Sequence, residues 1–196
     1  MAKLFGNLHL VLAIGLVLAI VVMMAFFDST TVDANSVLRW LHLFFGVLWI
    51  GLLYYLNFVQ VPTMPKVPAE LKKGVTGYIA PNVFFFFRWA ALFTVLTGLA
   101  VAFHPQANGD PGFGADALLF RKPGGVSMIG LGMWIAIIMF LNVWGIIWPA
   151  QKKILGIVEA TDEEKAKAAP RALIASRTNL LLSLPMFYTM VNANVG

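Results

Sequence analysis

Residues 39–57 read "RWLHLFFGVLWIGLLYYLN", an apolar run that carries Arg39 and His42 near one end and Asn57 near the other. Wound as a helix, nineteen residues extend about 28 Å, close to the ~30 Å hydrocarbon thickness of a bilayer. The rest of the chain points to the same solvent. Of its 196 residues 60% are hydrophobic and 12% charged, with a mean hydropathy of +0.82, which is more apolar surface than a soluble domain of this length can bury. The sequence is that of an integral membrane protein.

Outward from this stretch, apolar runs of spanning length recur at 8–27, 37–61, 83–103, 126–148 and 172–194, the last interrupted by Arg177, Asn179 and Ser183. Uninterrupted runs such as "LHLVLAIGLVLAIVVMMAFF" from Leu8 lack the alternation of a membrane barrel, and an open sheet would leave backbone groups unpaired in lipid. The expected fold class is all-α: one polytopic helix-bundle domain over 1–196 with about five transmembrane helices. The run at 8–27 is too long for a signal peptide and has no small-x-small site before Asp28, so it reads as a retained anchor helix.

Basic residues set the orientation. Lys3, the 62–81 loop with Lys66, Lys72 and Lys73, and the 149–171 loop with Lys152, Lys153, Lys165, Lys167 and Arg171 fall on one side, which is expected to be cytoplasmic. The opposite side takes "DSTTVDANS" from Asp28 and "HPQANGDPGFGADALLFRKPGG" from His104, with Arg121 and Lys122 the exceptions. The amino terminus is then inside and the carboxyl terminus outside. A net charge of +5 reports topology, and no nucleic acid is expected as a partner. The expected location is a bacterial inner membrane, crossed several times. Among the loops, "VPTMPKVPAELKK" from Val61, with three prolines, reads as an extended connector. "TDEE" from Thr161 reads as a capping box opening a short surface helix before Pro170. "DPGFGAD" from Asp110 reads as a turn-rich cover. "LNFVQVP" from Leu56 and "LNVWGIIWP" from Leu141 echo each other at the ends of two helices.

Polar groups inside the spans carry the chemistry. The chain has no cysteine, which excludes disulfides, thiolate metal sites and c-type haem attachment. No HExxH motif, paired carboxylates or Ser/His/Asp arrangement stands within reach, so hydrolysis is not expected. Arg39 lies near a helix end beside Trp40, where it either snorkels as an anchor or meets a ligand. His42 follows at i+3 and Gly46 at i+4 from it, on one face. That face allows contact with a haem or quinone, or a structural histidine bonded to a carbonyl across the bundle. Arg88 sits about 9 Å inside its span with no buried carboxylate to pair with, leaving carbonyls, another helix, lipid phosphate or an anionic ligand. His104 ends the same span and could join His42 as a second axial ligand of one haem, or lie at the surface beside Pro105. His9 reads as an interface residue. Asn57, Asn142, Asn179 and Ser183 read as interhelical hydrogen bonds, and Trp40, Trp144, Trp148 and Tyr188 as an aromatic belt.

Four blocks in order, "LRWLHLFFGVLWIGLLYYLNF", "FFRWAALFTVLTG", "WPAQKK" and "SRTNLLLSLPMFYTMVNAN", resemble the transmembrane domain of bacterial membrane-bound urate hydroxylases, the urate oxidase N-terminal family. Arg39, Trp40, His42, Trp49 and Gly51 match its first signature helix. Arg88 and Trp89 take its basic-aromatic position, Pro149, Gln151 and Lys152 its loop motif, and Arg177, Asn179, Leu184, Pro185 and Asn192 its last helix. The chain departs from the family at Ala193, where a histidine is usual, in an added first span, and in lacking a following cytochrome c domain. The resemblance implies an oxidoreductase: a membrane redox protein that takes part in urate-like oxidation and passes electrons to a cytochrome c or the respiratory chain. Haem b is the implied cofactor, with His42, Arg39, Gly46, Arg88 and His104 as candidate contacts and His42 and His104 as candidate iron ligands. The alternative is a non-catalytic accessory subunit packing against a larger membrane complex. An anion transporter is a third reading, with only Pro185 to suggest a broken helix.

Overall fold

The computed structural model describes residues 5–25, 33–105 and 111–193, and these are all-helical with no strand. The chain divides into two compact units, residues 1–38 and 39–196. In the first, α1 (Leu8–Ala25) starts on the Asn7 side chain, which accepts from Leu10 N–H, and buries none of its residues. A helix apolar on every side, with no residue buried, is suited to lipid. The start of α2 (Ala34–Lys66) is fixed by reciprocal bonds between Asp33 and Ser36, with Ser36 N–H donating to Asp33 Oδ1 at 2.7 Å.

The second unit holds the remainder of α2, then α3 (Ala69–Ala102), a short α4 (Gly114–Leu118), α5 (Gly125–Ile154) and α6 (Asp162–Asn192). Among the described residues four helices, α1, α2, α3 and α5, are long and apolar enough to cross a membrane. The fifth sequence run lies in α6, whose 31 residues begin with a charged stretch before the apolar half.

Proline explains how the helices differ from the runs read in the sequence. In α2, α3 and α5 a π turn (Tyr55–Gln60, Val75–Ile79, Val143–Ile147) is closed by an N–H bonding five residues back: Val61 to Leu56, Ala80 to Val75, Trp148 to Val143. In each case the next residue is proline: Pro62, Pro81, Pro149. Proline donates no hydrogen bond and its ring crowds the carbonyl four residues before it; widening the preceding turn by one residue relieves the crowding. The expected extended connector is therefore corrected. The chain is helical to Lys66 and again from Ala69, with extended backbone at Val67 (φ −74°, ψ 127°) and Pro68 (φ −51°, ψ 145°). The surface helix expected before Pro170 is likewise the first part of α6, which continues through Pro170 and Pro185. Its capping box forms as read: Thr161 Oγ1 accepts from Glu164 N–H at 3.2 Å, and Glu164 Oε2 accepts from Thr161 N–H at 3.0 Å.

The core lies where α2, α3, α5 and α6 meet, around the buried side chains of Trp49, Leu53, Phe87, Met139 and Val143. In "FFFF", Phe84 and Phe87 face this core while Phe85 and Phe86 are exposed, the i, i+3 spacing of one helix face. α6 presents Ala168, Ala172, Ala175, Asn179, Ser183, Met186 and Thr189, a buried stripe at intervals of three and four that lets it approach α5 closely. The connection between α3 and α5 is, among its described residues, less turn-rich than read. α4 packs on α5, with Ala117 fully buried, a Cβ on Gly130 running into the Ala117 carbonyl, and Trp134 Nε1–H donating to Leu118 O at 2.9 Å.

Candidate functional site

A cavity of about 480 Å³ opens between the first half of α2 and the second half of α3, with walls from α5 and α6 and a lip at Phe113. Its polar lining is sparse. Arg39 stands at one end, exposed and without an ion pair among the described residues; His42, one turn deeper, and Trp49, two turns beyond, share its α2 wall with Gly46. The side toward α6 is flanked by Leu43, Val47 and Val191, which are 66%, 71% and 79% exposed. The cavity thus opens sideways, through apolar residues.

His42 is held in one state by α3. Its Nδ1 lies 2.9 Å from Thr94 O, and a carbonyl only accepts, so Nδ1 carries the hydrogen and neutral imidazole keeps its lone pair on Nε2. The ring rests against Gly98, where a Cβ would come within 2.7 Å of His42 Cε1. Gly98, not singled out in the sequence, is the glycine that makes room for the ring; a Cβ on Gly46 would meet only Thr94 Cγ2, at an ordinary 3.8 Å. The carbonyl bond across the bundle, one of the two readings of His42, is formed, and the ring also lines the cavity.

Arg39, His42 and Gly46 therefore share one cavity, whereas Arg88 and His104 lie outside its lining. The Arg88 guanidinium carbon sits 3.9 Å from the Trp148 ring centroid and 5.2 Å from that of Phe85, while Trp144 Nε1–H donates to Arg88 O at 3.1 Å. Aromatic faces take the place of the carbonyl, polar helix face, lipid phosphate or anionic ligand expected for this cation. His104 is half-buried just past the end of α3, its N–H bonded to Val101 O at 3.4 Å. No group of three or more metal-ligating side chains forms among the described residues.

Beyond the cavity floor runs a buried polar seam. Asn142 Nδ2–H donates to Asn179 Oδ1 at 3.0 Å, and Asn179 Nδ2–H to Met139 O at 2.9 Å. Asn57 Nδ2 donates to Leu53 O and to Ser176 Oγ, both at 2.9 Å. Ser183 gives its hydrogen to Leu180 O, so Tyr54 O–H donates to Ser183 Oγ at 3.1 Å. These residues fasten α2, α5 and α6 together as expected. Pairing is incomplete at Asn57, whose Oδ1 has no donor, and at Trp49, whose side chain is 0% exposed and whose Nε1–H has no acceptor among the described residues. The sequence offered one clue, since Trp49 stands seven residues after His42 and so on the same helical face.

Fold and site together define a helix-bundle protein with membrane-spanning character and a ligand-sized cavity walled by four helices. Residues 119–195, which cover α5 and α6, match the sequence model described as urate oxidase N-terminal, and this match supports membership in that family. It contains "WPAQKK" and the whole of "SRTNLLLSLPMFYTMVNAN" but not the His42 helix. No curated protein and no solved structure matches the chain.

Proposed function

We propose that this chain is a redox protein of a bacterial inner membrane, related to the urate hydroxylases, and that the cavity beside His42 is its redox site. In this reading it takes part in oxidation of a urate-like substrate, or relays the electrons to a cytochrome c or a larger respiratory complex. The carrying observation is the His42 clamp: the Thr94 carbonyl fixes the tautomer and Gly98 the ring position, in a cavity otherwise almost entirely apolar. A histidine prepared in this way offers Nε2 as a ligand or proton acceptor, the arrangement that second-sphere carbonyls give to metal-binding histidines. Arg39, exposed at the rim with no ion pair among the described residues, supports attraction of an anionic substrate or propionate.

Haem b fits this donor set in part. Bound here it would supply one-electron transfer, with His42 as its histidine ligand and Arg39 beside its charged edge; His104 does not share the cavity, so the two-histidine site expected from the sequence is not assembled there. A reduced-minus-oxidised absorption spectrum of the purified chain tests the cofactor. A b-type signal lost in His42→Ala and kept in His104→Ala would mark haem as the occupant of this cavity. A signal that needs His104 and survives His42→Ala would overturn this placement. No signal in protein made with ample haem would remove haem from the proposal.

A further inference from the structure

We infer that the cavity is a binding site for the head of a lipid-soluble quinone in its reduced, quinol form, with Trp49 Nε1–H donating to one ring oxygen and the hydroxyl at the other donating to His42 Nε2. The inference rests on the reading of this cavity as the redox site and names its occupant.

Three observations carry it. The first is the orphan donor: Trp49 is 0% exposed, lines the cavity and has no acceptor for Nε1–H. A buried N–H without a partner is costly, so whatever fills the floor should present an oxygen there. The second is the His42 tautomer. With Nδ1–H spent on Thr94 O, Nε2 is an acceptor and suits a hydroxyl rather than a carbonyl. His42 and Trp49 lie seven residues apart on one face of α2, so a single ring between them meets an acceptor at one edge and a donor at the other. The third is the doorway. Leu43 and Val47 on α2, a helix of membrane-spanning character, and Val191 on α6 are exposed apolar residues at the cavity's side opening. A ligand entering there comes from the acyl-chain region and can leave an isoprenoid tail in it.

The test is binding of decylubiquinol, the reduced form whose hydroxyl can donate to His42 Nε2, to the purified chain in detergent micelles without oxygen, followed by calorimetry, with a haem titration run in parallel. Saturable binding is expected. Trp49→Phe, which keeps the ring and removes the donor, should weaken it about tenfold, as loss of one neutral hydrogen bond does. Val47→Trp, on an exposed position where folding is little affected, should close the doorway and weaken binding at least as much. Saturable binding that both variants leave unchanged would overturn the inference by placing the quinol elsewhere. Haem bound through His42 without quinol binding would overturn it while sustaining the redox reading of the cavity. Absence of both ligands from folded protein would overturn the redox reading as well.

Discussion

Replacing Asn179 by leucine should loosen α6 from α5, and the size of the effect can be worked from the seam. Asn179 is fully buried and makes two bonds, Nδ2–H to Met139 O at 2.9 Å and Oδ1 from Asn142 Nδ2–H at 3.0 Å. Leucine keeps the volume and removes both. Interhelical hydrogen bonds in membrane proteins average about 0.6 kcal/mol and reach about 1.7 kcal/mol. The Met139 carbonyl keeps its helical bond from Val143 N–H, but the half-buried Asn142 amide loses its acceptor, at a cost on the order of 1 kcal/mol. The expected loss is about 2 kcal/mol, read as a shift in reversible unfolding in mixed sodium dodecyl sulfate micelles by far-ultraviolet circular dichroism. Asn142→Leu alone should cost less, and the double variant should recover about 1 kcal/mol relative to the sum, because only one of the bonds joins these two side chains. An Asn179→Leu protein as stable as the parent, or a cycle that is strictly additive, would refute the view that the seam is held by these bonds.

Three further outcomes follow from the site and its surroundings. Gly98→Ala places a methyl 2.7 Å from His42 Cε1 and should push the ring off Thr94 O, seen as loss of the single Nδ1–H tautomer in nitrogen-15 spectra of labelled histidine. Arg88→Gln should remove the cation from the Trp148 face, changing Trp148 emission and costing about 0.5–2 kcal/mol; Arg88→Lys should retain part of both. At the start of α6, Glu164 is held below the usual carboxylate range chiefly by its hydrogen bond from Lys153, at 2.8 Å, and by its bond from Thr161 N–H. A depressed folded value means that its stabilisation is present above the unfolded pKa and is lost as pH falls through the folded value. Amide exchange at Glu164 and Lys165 should therefore accelerate below the ordinary carboxylate range, and Thr161→Ala should bring the same fraying at neutral pH at a cost of about 1 kcal/mol.

Much of the helix framework was legible because lipid demands long apolar runs: 8–27, 37–61, 83–103 and 126–148 each fall on one of the long helices. Proline misled the reading of their ends. In water-exposed segments it is a breaker, whereas here Pro62, Pro81 and Pro149 follow widened turns, and Pro170 and Pro185 lie within α6. In the site, the spacing of Arg39, His42 and Gly46 was readable because all three lie on one helix. What a single helix cannot disclose is its neighbour. Gly98 and Thr94 matter because α3 places them against His42, and Arg88 is satisfied by Trp148, sixty residues away in sequence. The unpaired indole of Trp49 is a property of packing and has no signature in sequence beyond its shared face with His42.

The widened turns carry a consequence for comparing relatives of this chain. A π turn is an α-helix with one residue too many, and the extra residue rotates everything beyond it by about 100°. In α5 that rotation lies between Met139, in the seam, and Trp148, over Arg88, so the inserted residue and the proline after it set the phase of one end against the other. A homologue without Pro149 has no reason to keep the insertion. Gaps in an alignment of this chain with its homologues are therefore expected within 55–60, 75–79 and 143–147, inside the helices, paired with loss of the proline that follows each.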